Sequence, residues 1–193
     1  MQGVPQEVIS GGKIDMVIEK IRLELEKGIK NKLQYRIERN SFDDNYLYGI
    51  PIKASSEFLL FAHMYDFCFD GFKIIRLSDI TSLRHDEQES FAEMIYKKEG
   101  TTIEDIPDFG VHNIKSILES TKSNNIIVEC EKNDDAFFIG KVMDLSDAKF
   151  SFLEFDGVGI WQKDPTLIKY NDVTCITISG KYLNTISKYT QNP

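Results

Sequence analysis

The chain is poor in cysteine, in long apolar runs and in basic charge, and each shortage excludes a class of protein. Its 193 residues include three cysteines, Cys68, Cys130 and Cys175, each isolated in an apolar context. Their number and spacing fit neither a disulfide framework nor a metal site, so we predict three buried free thiols. No apolar run approaches the roughly 20 residues of a membrane-spanning helix. Residues 1–12 lack the basic and apolar regions of a secretory signal. We therefore predict no membrane association and a cytoplasmic location, unless a leader has been removed.

The shortage of basic residues bears on the partner. The chain has 23 Lys and Arg against 31 Asp and Glu, a net charge of −8 that is shared evenly between its two halves. Non-specific binding to nucleic acid depends on neutralising phosphates with Lys and Arg, so this balance disfavours RNA. The same acidity suits a basic protein partner.

What the sequence does contain is one short phrase written twice. Residues 74–81, IIRLSDIT, return as residues 167–174, LIKYNDVT, at an offset of 93 in a chain of 193. Residues 33–40 and 126–133 correspond at the same offset. A fixed self-similarity of this kind predicts a duplicated structural unit.

In the first half, apolar spacing predicts a helix over 13–30. Short alternating or apolar runs then predict five strands over 33–39, 46–54, 58–69, 72–77 and 81–85, with Asp70-Gly71 as a hairpin turn. A second helix over 86–99 is predicted to present Phe91, Met94 and Ile95 as its apolar stripe.

The second half repeats this order after a linker over 100–107. Asp108 is predicted to cap a helix that runs to about residue 123, five strands follow, and an amphipathic stretch over 182–189 ends the chain. The segment 155–159 is predicted to be a hairpin turn or a bulge, and the register with the first half favours the bulge. Short antiparallel strands need their edges closed or covered. We therefore predict a mainly β fold with helices (α+β): two tandem five-stranded small barrels, domains 13–99 and 108–190, each preceded by an amphipathic helix.

This order of elements resembles the Sm-like fold, a family of small barrels that often form rings and bind RNA. In the second half, Phe-Ile-Gly-Lys-Val at 138–142 resembles the opening of the family's first motif, and Tyr-Gly-Ile-Pro at 48–51 resembles it more loosely. The family's second motif usually carries Arg-Gly between the last two strands. Here Ser78-Asp79 and Asn171-Asp172 stand in its place, and an acid at that position would repel phosphate.

Three residues are candidate binding residues. Asp79 and Asp172 lie in the repeated phrase, where each is predicted to stabilise a turn by bonding the backbone, although two carboxylates in one cleft could share a proton or a cation. Trp161 is the single tryptophan. It is predicted to pack in the core or at the seam between the halves, and if exposed it would mark a partner site.

The remaining chemistry-bearing residues form no catalytic set. His63, His85 and His112 fall in three different settings, and only the cluster His85-Asp86-Glu87 offers local metal ligands. We predict no cofactor, no metal and no enzymatic activity. The function that fits is a non-catalytic protein that binds or regulates a basic protein partner, as an acidic inhibitor or immunity-type protein does. The alternative is a divergent Sm-like RNA-binding protein. The two halves are expected to pair within one chain, because covalent linkage gives them a high effective concentration.

Overall fold

The computed structural model describes residues 11–39, 46–108, 110–132 and 136–190, which form an α+β fold on one antiparallel sheet of ten strands. The strands are β1 (Tyr35–Glu38), β2 (Leu47–Ala54), β3 (Phe58–Tyr65), β4 (Cys68–Arg76), β5 (Ser82–Arg84), β6 (Val128–Lys132), β7 (Phe137–Leu145), β8 (Lys149–Glu154), β9 (Thr166–Lys169) and β10 (Val173–Ile178). The helices are α1 (Gly11–Asn31), α2 (Glu87–Glu99), α3 (Ile114–Ser123) and α4 (Lys181–Ser187). The predicted α+β class is confirmed. The prediction about a secretory signal rests largely on residues 1–10, which lie outside the described residues.

The ten strands follow the order β5-β1-β2-β3-β4-β10-β6-β7-β8-β9. Each half thus contributes five strands in the same order, with its last strand first. The halves meet where β4 pairs with β10, with Ile75 opposite Cys175 and Phe72 opposite Ile178. Because β4 pairs with β3 on one side and with β10 of the other half on the other, all ten strands belong to one continuous sheet. Two separate five-stranded barrels therefore remain a prediction.

Helix α1 covers one face of the first half. It buries Ile21 and Leu25 and ends where Asn31 Nδ2 donates to the Lys27 carbonyl at 2.9 Å. Tyr35 on β1 packs below it and donates its hydroxyl to the Glu24 carbonyl at 2.9 Å. Gly28 permits this approach, since a Cβ there would lie 2.4 Å from the Tyr35 ring.

Strand β3 is buried on both faces from Phe58 to Ala62, which explains why these five residues are all apolar. Leu59 and Phe61 join the core of the first half, together with Ile75 and Cys175. Leu60 and Ala62 face the larger core that continues into the second half, where α3, β6, β8 and β10 contribute. Burying a side chain of this size contributes about 1.5–3 kcal/mol, so the shared core ties the halves together.

The predicted hairpin at Asp70-Gly71 is wrong. The chain turns at Asp66 and Phe67, which have φ values of 45° and 60°, and Tyr65 pairs with Cys68. Gly71 lies inside β4 at φ 77°, where the register with β3 shifts. This is the position of a bulge, which uses the left-handed freedom of glycine.

Three other local predictions are corrected. Helix α3 begins at Ile114 and not after Asp108, because the Asn113 side chain accepts a hydrogen bond from the backbone N–H of Ser116 at 2.9 Å. Segment 155–159 is a turn and not a bulge, since Phe155 pairs with Trp161 across it. The third concerns the thiols: all three are free, but only Cys130 and Cys175 are buried, whereas Cys68 is exposed.

Among the described residues, no helix is both long and apolar enough to cross a membrane.

Candidate functional site

Asp79 and Asp172 occupy two 3-10 turns of the same conformation, Leu77–Asp79 and Tyr170–Asp172. In each, the backbone N–H of the following residue donates to the carbonyl of the turn's first residue. Asp79 accepts from the Ser78 hydroxyl at 3.2 Å through Oδ1, while its buried Oδ2 has no hydrogen-bond partner among the described residues. Burial raises the pKa of Asp79, and Arg76 and Ser78 offset part of this shift.

The two turns meet at the joint between the halves. Arg76, at the end of β4, donates through Nη2 to the Tyr170 carbonyl at 2.6 Å and through Nη1 to the Val173 carbonyl. The residue before the first turn is therefore bonded to the first residue of the second turn and to the residue that follows it. The contact uses backbone carbonyls and not the two carboxylates, and no cluster of metal-binding side chains occurs in the part of the chain that the structure describes. These observations fit a structural role for both turns.

A buried ion network also crosses the joint. Glu131 on β6 accepts from Arg39 Nη2 at 3.2 Å and from Lys73 Nζ at 3.0 Å, so one carboxylate of the second half binds two cations of the first. Lys73 also donates to Thr177 Oγ1 at 3.0 Å. Burial alone would raise the pKa of Glu131, but Lys73 and Arg39 outweigh it and lower the pKa. The network therefore fixes how the halves sit against each other.

Trp161 packs within the second half and not between the halves. Its ring meets Phe155 edge-on at a centroid distance of 4.9 Å, and Leu183 of α4 lies in the same small apolar cluster. Lys141 Nζ lies 5.6 Å from the centroid of the indole ring. The buried indole N–H has no hydrogen-bond partner in the described structure. The predicted core packing thus fits better than an exposed anchor.

The most distinctive site was missed by the sequence reasoning. A cavity of about 310 Å³ opens between the β3–β4 hairpin, β2 and α2; we name it the hairpin–helix cavity. Its lining consists of four aromatic side chains, two amides, one carboxylate and two smaller apolar side chains: Tyr48, Phe67, Phe91, Tyr96, Gln34, Gln88, Asp66, Met64 and Ala92. Its size lies at the lower limit of typical ligand pockets.

Helix α2 gives the cavity an unexpected wall. The helix buries Glu89, Ala92 and Tyr96, whereas Phe91 is 59% exposed and Met94 is 39% exposed. The predicted apolar stripe is therefore wrong. Glu89 is buried because its side chain accepts from the backbone N–H of Asp86 at 3.0 Å in a capping box and lies 3.7 Å from the Arg36 guanidinium.

The hairpin turn supplies the opposite wall. Phe67 is 51% exposed, and its ring lies 6.4 Å from that of Tyr96, measured between centroids. A bulky residue with φ of 60° is a genuine outlier. The sequence signal that could have located it is weak, because Asp-Phe contains none of the glycine that such turns favour.

Gln34 lies at the base of the cavity and is only 2% exposed. Its backbone is bound on both sides: the N–H donates to Glu93 Oε1 at 2.6 Å, and the carbonyl lies 2.8 Å from His85 Nδ1. Its side-chain Oε1 is buried with no hydrogen-bond partner among the described residues. Burial raises the pKa of the adjacent Tyr96, and the Gln34 side chain opposes part of that shift.

A more open groove of about 900 Å³ lies on the other side of Tyr96, which lines both the groove and the cavity. It runs from the end of α1 past β2 to residues 101–106, and its walls include Ile29, Pro51 and Ile103. Lys32, Glu93 and Lys97 also line the groove, so it carries charges of both signs.

Comparison with protein-family models, with curated proteins and with solved structures found no match for this chain.

Proposed function

We propose that this protein is a non-catalytic binding protein for a basic protein partner and that the hairpin–helix cavity is the centre of its binding surface. The observation that carries the proposal is Phe67, held in a left-handed backbone conformation and half exposed. The left-handed conformation costs a non-glycine residue about 1–2 kcal/mol. Strain of this kind persists where the surrounding structure enforces it, and it concentrates at binding sites.

Helix α2 supports the same conclusion. It leaves Phe91 59% exposed beside the cavity, although the side chain is apolar. Aromatic side chains, phenylalanine included, are enriched in the cores of protein interfaces relative to the rest of the surface. The adjoining groove offers room for the residues that flank such an anchor.

Charge supports a basic partner over RNA. The net charge is −8, and none of the described residues that line the cavity is a lysine, arginine or histidine. Asp79 and Asp172 stand where an RNA-binding protein of the Sm-like family would carry Arg-Gly. An inhibitory or immunity-type role would use such a surface to neutralise a basic partner.

We also propose that each half is a divergent Sm-like barrel and that the two form an intramolecular pseudo-dimer. The repeated strand order, the matching 3-10 turns and the β4–β10 pairing support this reading. The three free thiols fit a reducing compartment such as the cytoplasm.

Selection of the full-length protein against a phage-displayed random dodecapeptide library tests the proposed function. We expect enriched peptides that carry Lys or Arg beside apolar residues and whose binding is lost in a Phe67→Gly, Phe91→Ala double variant. Exchange of Leu23, an exposed residue on α1, for alanine is the matched control and should leave binding intact. Failure to enrich any peptide, or enriched peptides that bind the double variant as well as they bind the wild type, would refute the proposal.

The RNA alternative is tested with labelled single-stranded oligouridine. Its fluorescence anisotropy should not change when the protein is added at low salt, and a change would favour RNA binding.

A further inference from the structure

We infer that the hairpin–helix cavity binds the cationic end of a basic side chain, inserted by the partner. This inference rests on the proposed function and names the group that the site recognises. Each part of the cavity contributes one feature that a cation attached to an aliphatic stem would use.

The walls offer aromatic faces. Phe67 and Phe91 flank the opening, and Tyr48 and Tyr96 line the cavity with them. A cation within about 6 Å of the centroid of an aromatic ring is attracted by the negative electrostatic potential above the ring face. Several rings around one site strengthen this attraction. The same rings pack against the methylene groups of a lysine or arginine stem.

The base offers a hydrogen-bond acceptor. Gln34 Oε1 is buried and lacks a partner within the described structure, in a residue that is 2% exposed. Leaving a buried acceptor unsatisfied costs free energy that an ammonium or guanidinium donor would recover. Asp66 adds a carboxylate to the lining. The donors of a basic side chain therefore have two acceptors of matching chemistry.

Arg36, a cation beside the cavity, has its own partners. Arg36 donates to Gln88 Oε1 at 3.0 Å, but its charge is balanced by Asp86 at 2.8 Å and by Glu89 at 3.7 Å. Its guanidinium lies 5.3 Å from the Tyr46 ring centroid, so a cation already rests against an aromatic side chain beside the cavity.

The size of the cavity limits the occupant. At about 310 Å³ it lies at the lower end of the 300–1,000 Å³ that small-molecule pockets span. It therefore fits one side chain and is too small for a large cofactor.

A pair of amino-acid analogues tests the inference on the full-length, isotope-labelled protein. N-acetyl-lysine methylamide and N-acetyl-norleucine methylamide share an aliphatic stem and differ in the ammonium group. We expect the lysine analogue to bind at least about tenfold more tightly in a two-dimensional NMR titration, a difference of about 1.4 kcal/mol. The shifted amides should include those of Gln34, Phe67 and Phe91.

Variants locate the interaction. Gln34→Met removes the acceptor at nearly constant length, and Phe91→Leu removes a ring while keeping an apolar side chain. Each should weaken the lysine analogue about fivefold or more, whereas Leu23→Ala on α1 should not change its affinity. The NMR spectrum of each variant reports directly whether it is folded. Equal affinity for the two analogues, or shifts confined to another surface, would overturn the inference.

The two proposals fail separately. If the selected dodecapeptides depend on Phe67 but insert neutral side chains, the protein-binding function stands and the cation inference falls. If no peptide is enriched but the lysine analogue still binds in the cavity, the inference stands for a small organic cation and the protein-binding function falls.

Discussion

Replacing Glu131 by glutamine tests whether the ion network holds the two halves together. Glu131 is the shared acceptor for Arg39, whose side chain is fully buried, and for Lys73, whose side chain is 11% exposed. Glutamine keeps the shape and one acceptor oxygen but removes the charge. Both cations then lose the carboxylate that they share, whereas the coulombic attraction of Glu129 for Lys73 and the hydrogen bond from Arg39 Nη1 to the Thr174 carbonyl at 3.1 Å are kept.

The expected loss follows from the burial of the partners. Breaking a buried ion pair by removing one member costs about 3–5 kcal/mol. The Glu131 side chain is itself 28% exposed, so we expect about 3 kcal/mol. Urea unfolding followed by circular dichroism gives this value if the slope m is unchanged.

Glu38 provides the matched control, because it stands at the corresponding position of the first half, 93 residues earlier. The Glu38 side chain is 15% exposed, but its partner Arg84, at 3.3 Å, is 55% exposed, so solvent screens the pair from the Arg84 side. Exposed pairs contribute about 0–1 kcal/mol, so Glu38→Gln should cost less than about 1 kcal/mol. Equal losses in the two variants would refute the view that Glu131 anchors the joint.

The pH dependence of the unfolding free energy, compared between wild type and Glu131→Gln, gives a second readout. The folded state lowers the pKa of Glu131, so between that value and the ordinary carboxyl pKa the unfolded chain binds more protons than the folded one. Stability from Glu131 is therefore present above the unfolded pKa and is lost as pH falls through the folded pKa. The difference in unfolding free energy between wild type and Glu131→Gln should shrink on acidification, and a constant difference would contradict the assignment.

Three further predictions concern strain, close contacts and thiols. Phe67→Gly should change the unfolding free energy by less than about 1 kcal/mol in urea, because relief of the left-handed strain offsets the lost ring contact; a larger loss would mean that the ring serves the fold. Gly140→Ala should lower the unfolding free energy by about 3 kcal/mol in the same assay, since its Cβ would lie 2.0 Å from the Leu153 carbonyl oxygen. The control Gly157→Ala places its Cβ in open space and should cost little. Equal losses in the two variants would contradict the close contact at Gly140. Ellman's reagent should label only Cys68 of the three cysteines in the folded protein and all three after unfolding, and rapid labelling of a second thiol in the native state would contradict the burial.

Local patterns were sufficient for much of the fold. Apolar spacing predicted α1 and α2 to within two residues, and alternation predicted the position of β1, because these signals depend on neighbours along the chain. The repeated phrase predicted two equivalent turns, and both have the same conformation. The pairing of β4 with β10 joins residues about 100 positions apart, and no local pattern specifies it.

The candidate site could not be predicted from the sequence for the same reason. The apolar spacing predicts Phe91 on the buried face of α2, yet the capping box and Arg36 bury Glu89 on that helix. The sequence predicts Phe67 inside one long strand, because its turn lacks glycine. The unpartnered oxygen of Gln34 results from tertiary packing, which no sequence pattern encodes.

The most direct measurement is an intermolecular nuclear Overhauser experiment on the full-length protein bound to a dodecapeptide from the selection. We predict contacts between the methylene protons of one Lys or Arg side chain and the rings of Phe67 and Phe91, as the proposed cation site requires. Contacts that instead place the peptide against Trp161 or along the free edge of β9, with the cavity unperturbed, would contradict it.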